Sequence, residues 1–510
     1  MDILITDSSP AQRIVTASSL TLGLPRPPIR FYRHGWQSWT LTAWIDPATP
    51  VVPVRAAEFR LKDEDPAYSL SGKHTSAWVA AADLGDGEIV LLGGLGLGAR
   101  VQLDGNSMVG FYEAGEGEWL VARGKELEVF RQYAAALKNK NQLQARGNPP
   151  RVWCSWYSLY GLIDERILHK TIGLLRDLPF DVIQIDDGWE VSTGDWIPNK
   201  KFPSGMADLA TRIRDTGRKA GLWLSPLIVT QNSSIFRDHP GWLLKNEEGA
   251  PVFTGRNWSG KTYALDVTHP AVLDWLGETT RAVCNWGYEY FKLDFLYAGA
   301  FPGRQYKPTP REEAYQNSLR VIREAAGDAY ILACGAPILP SLKYCDGIRI
   351  GTDVTPYWIN TPLSTWLNNP NNPSTQNAIR TCIHRQWLRS LIHLDPDVVY
   401  FRSQHTTLTE SQKQLLSDLA LVSGFKVSSD LPQWLTRKEL DELRAFLESD
   451  PMIEQVDAYR FRADGREIDF SPALPLPLPQ RFPVWLATNL GVLQMGIQEV
   501  LPAFWETRKK

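Results

Sequence analysis

Between residues 150 and 435 the chain switches from a short apolar run to an amphipathic stretch and back, again and again, and this alternation most constrains its fold. The runs read as strands at Val152–Ser155, Val182–Asp186, Gly221–Leu227, Tyr290–Asp294, Tyr330–Cys334, Ile348–Asp353, Val398–Arg402 and Lys426–Ser429. Between them Ile167 to Leu178, Ala271 to Trp286 and Ser411 to Ser423 place apolar residues at i, i+3 and i+4, the helical period. Eight strand–helix units are the number that closes a (β/α)8 TIM barrel. The stretch from 230 to 269 is too long for an ordinary connection and is expected to be an insertion shaping the barrel mouth.

On either side the pattern differs. Residues 1–148 show short alternating runs such as Glu88-Ile-Val-Leu-Leu, Arg100-Val-Gln-Leu and Trp119-Leu-Val-Ala-Arg, parted by Gly, Asp and Asn. They predict an antiparallel β-sandwich. Gly93-Gly-Leu-Gly-Leu-Gly98 opens no helix, so it reads as a hairpin connection and not a phosphate loop. The barrel is expected over 149–436. Residues 437–510 are expected to hold its last helix, Lys438–Glu448, and a small C-terminal β domain. Ser471-Pro-Ala-Leu-Pro-Leu-Pro-Leu-Pro479 reads as a surface strap. The fold class is α/β.

With 54 basic and 57 acidic residues the chain has no charge excess, which argues against nucleic acid and anionic membranes as partners. No apolar run reaches the ~20 residues of a membrane helix. Asp2 and Asp7 interrupt a start that also lacks the basic and apolar regions of a signal peptide. Five cysteines are then read as reduced thiols, and a cytoplasmic enzyme is expected. The eight histidines form no His-Glu-x-x-His and no i, i+4 pair, so no metal or other cofactor is expected. Twenty tryptophans are many. Their flat apolar faces and polar edges suit sugar rings, although each could equally fill a core.

Two strands end on a carboxylate. A charge buried alone is costly, but at the C-terminal tip of a barrel strand it lies at the mouth, where catalytic groups collect. Lys292 and Asp294, two apart, face the same side of one strand. The lysine is expected to hold Asp294 ionised, as a nucleophile requires. The bland alternative is an ion pair or a helix cap. Asp353 should carry a proton for a leaving oxygen. Arg349, four residues earlier, would spoil that by pairing closely with it, so Arg349 is expected to face substrate hydroxyls and other acids. A plain buried Arg–Asp bridge is the alternative. Two carboxyls aimed at one pocket are the equipment for cleaving a glycosidic bond.

Asp186-Asp187-Gly188-Trp189 ends the second strand. The two carboxylates repel and need compensation, which Lys292 can supply for one and sugar hydroxyls for both. A divalent-metal pair is the weaker reading. Trp156 and Trp223 can wall a pocket or fill a core, and Cys334 reads as a small pocket-wall residue. Trp36 and Trp39 are three apart, so on a strand only one can reach the barrel mouth.

The Lys-x-Asp strand, the Arg-x-x-x-Asp strand, the Asp-Asp-Gly-Trp turn and Gly-Trp-Gln-Ser-Trp occur in an order that resembles the retaining α-galactosidases of glycoside hydrolase family 36. The resemblance covers most of the chain. It implies Asp294 as nucleophile, Asp353 as acid/base, and Asp186 and Asp187 as the grip on the C4 and C6 hydroxyls. It implies Lys292 and Arg349 as hydroxyl-binding cations and Trp156 and Trp223 as pocket walls. Cys334 matches a thiol near C2, Gly351 a small residue beside the acid, and Trp36 or Trp39 an aromatic lent by the sandwich. The implied partner is an α-galactoside such as melibiose or raffinose, with carboxyls ~5 Å apart for retention. Galactosyl transfer of the raffinose-synthase type uses the same residues. A non-catalytic carbohydrate-binding protein is the alternative from another class. The oligomeric state stays open.

Overall fold

The computed structural model describes residues 1–5, 11–49, 51, 64–144, 147–257, 260–359 and 371–476. Residues 258–259 of the expected mouth insertion and 477–510 of the expected C-terminal domain lie outside these, as does the end of the Pro-rich strap.

The barrel is made of parallel strands, here β1 (Val152–Cys154), β2 (Val182–Ile185), β3 (Lys219–Leu224), β4 (Tyr288–Leu293), β5 (Tyr330–Ala333), β6 (Gly347–Arg349), β7 (His393–Asp395 with Val398–Val399) and β8 (Val427–Ser428). Each pairs with its neighbours in chain order, and β8 returns to β1 through Val152 and Val427. Strand β7 closes the ring in two pieces. Its first piece pairs with β6, Arg349 opposite Asp395, and its second pairs with β8, Val398 opposite Val427. Between them Asp397 turns through φ +84°, a left-handed conformation that Asp tolerates better than most side chains. The sequence reading began this strand at Val398. The structure begins it at His393, and Asp395, Pro396 and Asp397 carry the chain through a kink between the two pieces.

Strand β6 also differs from expectation. It stops at Arg349, and Ile350 to Asp353 leave the sheet. In an extended strand residues four apart lie about 13 Å from each other. Leaving the sheet is what lets Arg349 and Asp353 touch. The mouth insertion builds its own three-stranded antiparallel sheet from Ile228–Thr230, Gly260–Ala264 and Phe253–Asn257.

The N-terminal strands form a five-stranded and a six-stranded sheet. In the first, Leu20 and Leu22 alternate inward from Ser19–Gly23 as a half-buried strand should. Gly93–Gly98 is not a hairpin: Ile89–Gly94 belongs to one sheet and Ala99–Asp104 to the other, so the glycines carry the chain between sheets. Helix Glu126–Asn141 was overlooked in a region read as all β. Its apolar residues Val129, Phe130, Tyr133, Ala134 and Leu137 are buried, and Tyr133 donates to the Gly94 carbonyl at 2.8 Å. Tyr133 and Phe130 also pack on Trp387 of the barrel, at 5.3 and 5.9 Å between rings.

After helix Arg437–Glu448 a three-stranded sheet of Ile453–Gln455, Arg460–Ala463 and Arg466–Asp469 forms the C-terminal β element. Ser471–Ala473 is a 3-10 turn, and Arg380 holds the Leu474 and Pro475 carbonyls at 3.2 and 2.6 Å. No helix among the described residues is long and apolar enough to cross a membrane.

Sandwich and barrel are joined by a buried charge cluster. Arg100 of the sandwich bonds Glu312 of the barrel at 2.8 Å and Asp65 at 3.1 Å. Arg311 bonds Asp65 at 2.7 Å and also pairs with Glu113. Glu312 further accepts from Trp78 Nε1 at 3.0 Å and the Gly98 amide at 2.7 Å. Removing one member strands its partners' charges. Arg100→Met is therefore expected to cost on the order of 3–5 kcal/mol, read from urea unfolding. A change below about 0.5 kcal/mol, that of an ordinary surface substitution, would show that the cluster does not hold the domains together.

Candidate active site

The C-terminal ends of the barrel strands carry carboxylates, each with a different set of partners. Asp186, just past β2, is buried and accepts from Lys292 Nζ at 2.9 Å and Gln184 Nε2 at 2.6 Å, with Cys154 Sγ at 3.5 Å. An ammonium thus stands beside it where the weaker reading would put a metal. Burial alone would lower the Lys292 ammonium, but Asp186, then Cys154, Cys334 and Asp294, outweigh it and carry the group well above the usual lysine range. Lys292 is therefore a fixed positive charge.

Asp187 is compensated differently. Burial first, and then the Glu190 carboxyl bonded to it, push it well above the carboxylate range. Both effects favour the protonated form of Asp187, and a carboxyl in that form can donate to a hydroxyl as well as accept from one. Glu190 was not singled out from the sequence. Its position three residues past Asp187, in Asp-Asp-Gly-Trp-Glu, was the available signal.

Asp294 follows β4 and is 8% exposed. Trp223 Nε1 donates to its Oδ2 at 3.0 Å and the Phe295 amide to its Oδ1 at 2.8 Å. That amide is aimed by a left-handed backbone at Phe295, φ +52°, an uncommon conformation for a bulky residue. Trp223 is thus more than a wall, since it holds the carboxylate's orientation. Lys292 depresses Asp294 as expected, but the net direction is upward: burial raises Asp294, Lys292 and Trp223 offset this only in part, and Asp353 adds to the rise. The hydrogen bond of the ammonium goes to Asp186.

Asp353 is the accessible member, with its side chain 37% exposed against 3% for Asp186 and Arg349. It accepts from Arg349 Nη1 at 3.1 Å, and Tyr157 Oη lies 3.3 Å from it. The close pair that sequence reasoning set aside is therefore present. Arg349, however, also meets Asp395 through Nε and Asp397 through Nη2, both at 2.9 Å. Tyr157 Oη donates to Asp397 at 2.5 Å. Tyr157, Asp395 and Asp397 were missed. The last two lie before the strand read from the sequence at Val398, and Tyr157 follows a tryptophan that drew attention instead.

Cys334 ends β5 and is buried, and burial followed by Asp294 keeps its thiol well above the usual range, hence neutral. Asp353 acts on it in the same direction. Trp156 is half-buried just past β1 and stands edge-on to Tyr160 at 5.3 Å.

Trp36 and Trp39 do not lie on a strand. The chain turns at Gln37 to Thr40 and bridges to the barrel at Pro337, with the Ser38 amide on the Ala336 carbonyl at 3.0 Å. The rule that only one can face the barrel therefore fails. Trp39 packs on Phe295 at 5.5 Å and Tyr297 at 6.0 Å, and Trp36 on Tyr297 at 6.4 Å and Phe301 at 6.1 Å. Trp39 is the nearer to Asp294: a Cβ on Gly335 would lie 3.0 Å from its ring and 3.3 Å from the Phe295 backbone. Gly335 also has φ +53°, so the close approach and the backbone both call for glycine.

Gly351 has another explanation than room for a ligand. A Cβ there would lie 2.5 Å from Cys382 Sγ and 3.1 Å from the Ala378 carbonyl, both on helix Thr375–His384.

Comparison with known proteins gives concordant results. The family model described as Melibiase matches residues 127–321. The α-galactosidase TtGalA from Thermus thermophilus, solved with p-nitrophenyl α-D-galactopyranoside, is 43% identical over 92% of this chain and 96% of its own, with a TM-score of 0.87. The glycoside hydrolase family 36 α-galactosidase AgaA from Geobacillus stearothermophilus shares the fold at 16% identity, TM-score 0.56, over 84% of this chain and 61% of its own. Among curated proteins, alpha-galactosidase 2 from Pediococcus pentosaceus is 30% identical over 176 residues, 33% of this chain but only 23% of that longer protein.

Gly351→Ala is expected to destabilise the protein by about 1–3 kcal/mol through overpacking. Cys382→Ala in the same chain should recover most of that loss in the thermal midpoint. Loss of ligand binding without loss of stability would instead place Gly351 at the ligand.

Proposed function

Because the chain belongs to the α-galactosidases of glycoside hydrolase family 36, we propose that it removes terminal α-D-galactosyl residues from galacto-oligosaccharides by double displacement. Asp294 attacks C1 of the galactosyl unit while Asp353 gives its proton to the departing oxygen. The C1–oxygen bond breaks as the bond to Asp294 forms. Asp353, now a carboxylate, takes a proton from water, and the hydroxyl displaces Asp294 from C1, so galactose leaves with its α configuration.

The observation that carries this reading is the contrast between the two carboxyls within each other's field. Asp294 is buried and held by two donors, as an oriented nucleophile should be. Asp353 stands at the mouth, where the leaving oxygen and then water can reach it. The remaining assignments follow from what each group can offer. Asp186 and the Asp187–Glu190 pair supply acceptors and a donor for the C4 and C6 hydroxyls, and the axial C4 hydroxyl is what separates galactose from glucose. Lys292 supplies a fixed donor beside them. Cys334 lies near C2, Trp156 and Trp223 wall the ring, and Trp39 closes the pocket from the sandwich. Two complexes of TtGalA, with a nitrophenyl galactoside and with stachyose, support substrates of this class.

Asp294→Ala is expected to lower kcat for p-nitrophenyl α-galactoside by about 10⁴-fold or more while galactose still binds by calorimetry. Near-normal turnover in that variant would remove Asp294 from the reaction. Asp353→Ala should retain far more activity on the nitrophenyl substrate than on melibiose, by about 10²-fold or more, because nitrophenolate leaves without protonation. Equal losses on both would contradict an acid role.

A further inference from the structure

A guanidinium 3.1 Å from Asp353 favours the ionised carboxylate, yet the proposed reaction needs that carboxyl protonated. The geometry around Arg349 resolves the conflict. We propose that Asp395 and Asp397 are positioning residues that take up the charge of Arg349, so that Asp353 is oriented by the guanidinium without being stripped of its proton. This role rests on the reaction proposed above.

Three carboxylates share the one cation. Asp395 Oδ2 accepts from Nε at 2.9 Å, Asp397 Oδ1 meets Nη2 at 2.9 Å, and Asp353 Oδ1 accepts from Nη1. Asp395 and Asp397 are buried, whereas Asp353 is not. Attraction between buried charges is screened least, so the guanidinium's field is spent mainly on the two inner carboxylates. The backbone holds them in place. The Asp397 amide donates to Asp395 Oδ1, and the Val354 amide, next to Asp353, donates to Asp397 Oδ2, both at 2.8 Å. The kink in β7 exists at this point and brings both acids to one face of the guanidinium.

The groups facing Asp397 come from several elements. They are Arg349 of β6, Asp353 beyond it, Asp395 on β7, Tyr157 after β1, and Tyr400 after β7. Cys154 of β1 and Cys382 of helix Thr375–His384 are also near, but burial raises both thiols and keeps them neutral. Burial, opposed by Arg349 and reinforced by Asp353 and Asp395, pushes Asp397 up to about 7. Its charge therefore appears as pH rises through neutrality, which adds a negative charge beside the guanidinium.

The test is the pH dependence of kcat/KM for wild type, Asp395→Asn and Asp397→Asn on melibiose and on p-nitrophenyl α-galactoside. Asn keeps the side-chain oxygen that accepts the backbone bonds, and it tolerates the left-handed conformation at 397. Each variant leaves more of the Arg349 charge to Asp353. The basic limb of the melibiose profile should move down by about 1 pH unit, with at least about a tenfold larger loss on melibiose than on the nitrophenyl substrate at neutral pH. A uniform loss on both substrates with the limb unmoved would overturn the role and leave the two acids structural. If one variant fails to fold, judged by its thermal transition, the other decides. No wild-type turnover of either substrate would reject the reaction itself, whereas an active wild type with unmoved variants rejects only this inference.

Discussion

The guanidinium of Arg349 is the interaction on which barrel and site both depend. It lies at the end of β6 and binds both acids of the kinked β7. It therefore ties together the two strands whose pairing leads to barrel closure, since β7 continues onto β8 and β8 onto β1. The same guanidinium reaches Asp353 and, at 3.3 Å, the hydroxyl of Tyr157 beyond β1. A buried cation surrounded by several acids is a poor way to gain net stability, because desolvation consumes much of the attraction. It is an effective way to fix direction, since every member is held by more than one bond.

A second cation–acid pair at the strand ends follows the same plan. Lys292 on β4 joins Asp186 beyond β2, and Gln184 and Cys154 complete the contacts of that carboxylate. Asp294 is held by an indole and a backbone amide, neither of which carries formal charge. Division of labour among the acids thus arises from their partners: an ammonium for Asp186, another carboxyl for Asp187, neutral donors for Asp294, and a shared guanidinium for Asp353.

The sandwich takes part in the site. Its turn at Gln37 to Thr40 is stitched to the end of β5 and presents Trp39 to Phe295, next to Asp294. Arg385 reinforces the turn from the barrel side, reaching the carbonyls of Ser38, Gln37 and Thr40. The charge cluster of Arg100, Arg311, Asp65, Glu113 and Glu312 holds the domains together farther out. An aromatic placed by one domain against another needs a rigid junction, and these contacts provide it.

Strand–helix alternation, the carboxylate tips at Asp186, Asp294 and Asp353, and the order of the motifs were all legible in the sequence. They are local patterns: periodicity and chemistry read a few residues at a time. What was not legible depends on contacts across the fold. That β6 stops at Arg349, that β7 passes through Asp395, Pro396 and Asp397, and that Trp36 and Trp39 sit on a turn all follow from partners distant in sequence. So does the state of each acid, because burial and neighbours from other strands set it. The glycine at 351 answers to a helix that the sequence does not show beside it. The sequence by itself determined the strand–helix alternation and the carboxylates at the strand tips. Only the tertiary structure decided which of them share a charge, because electrostatics acts through space and not along the chain.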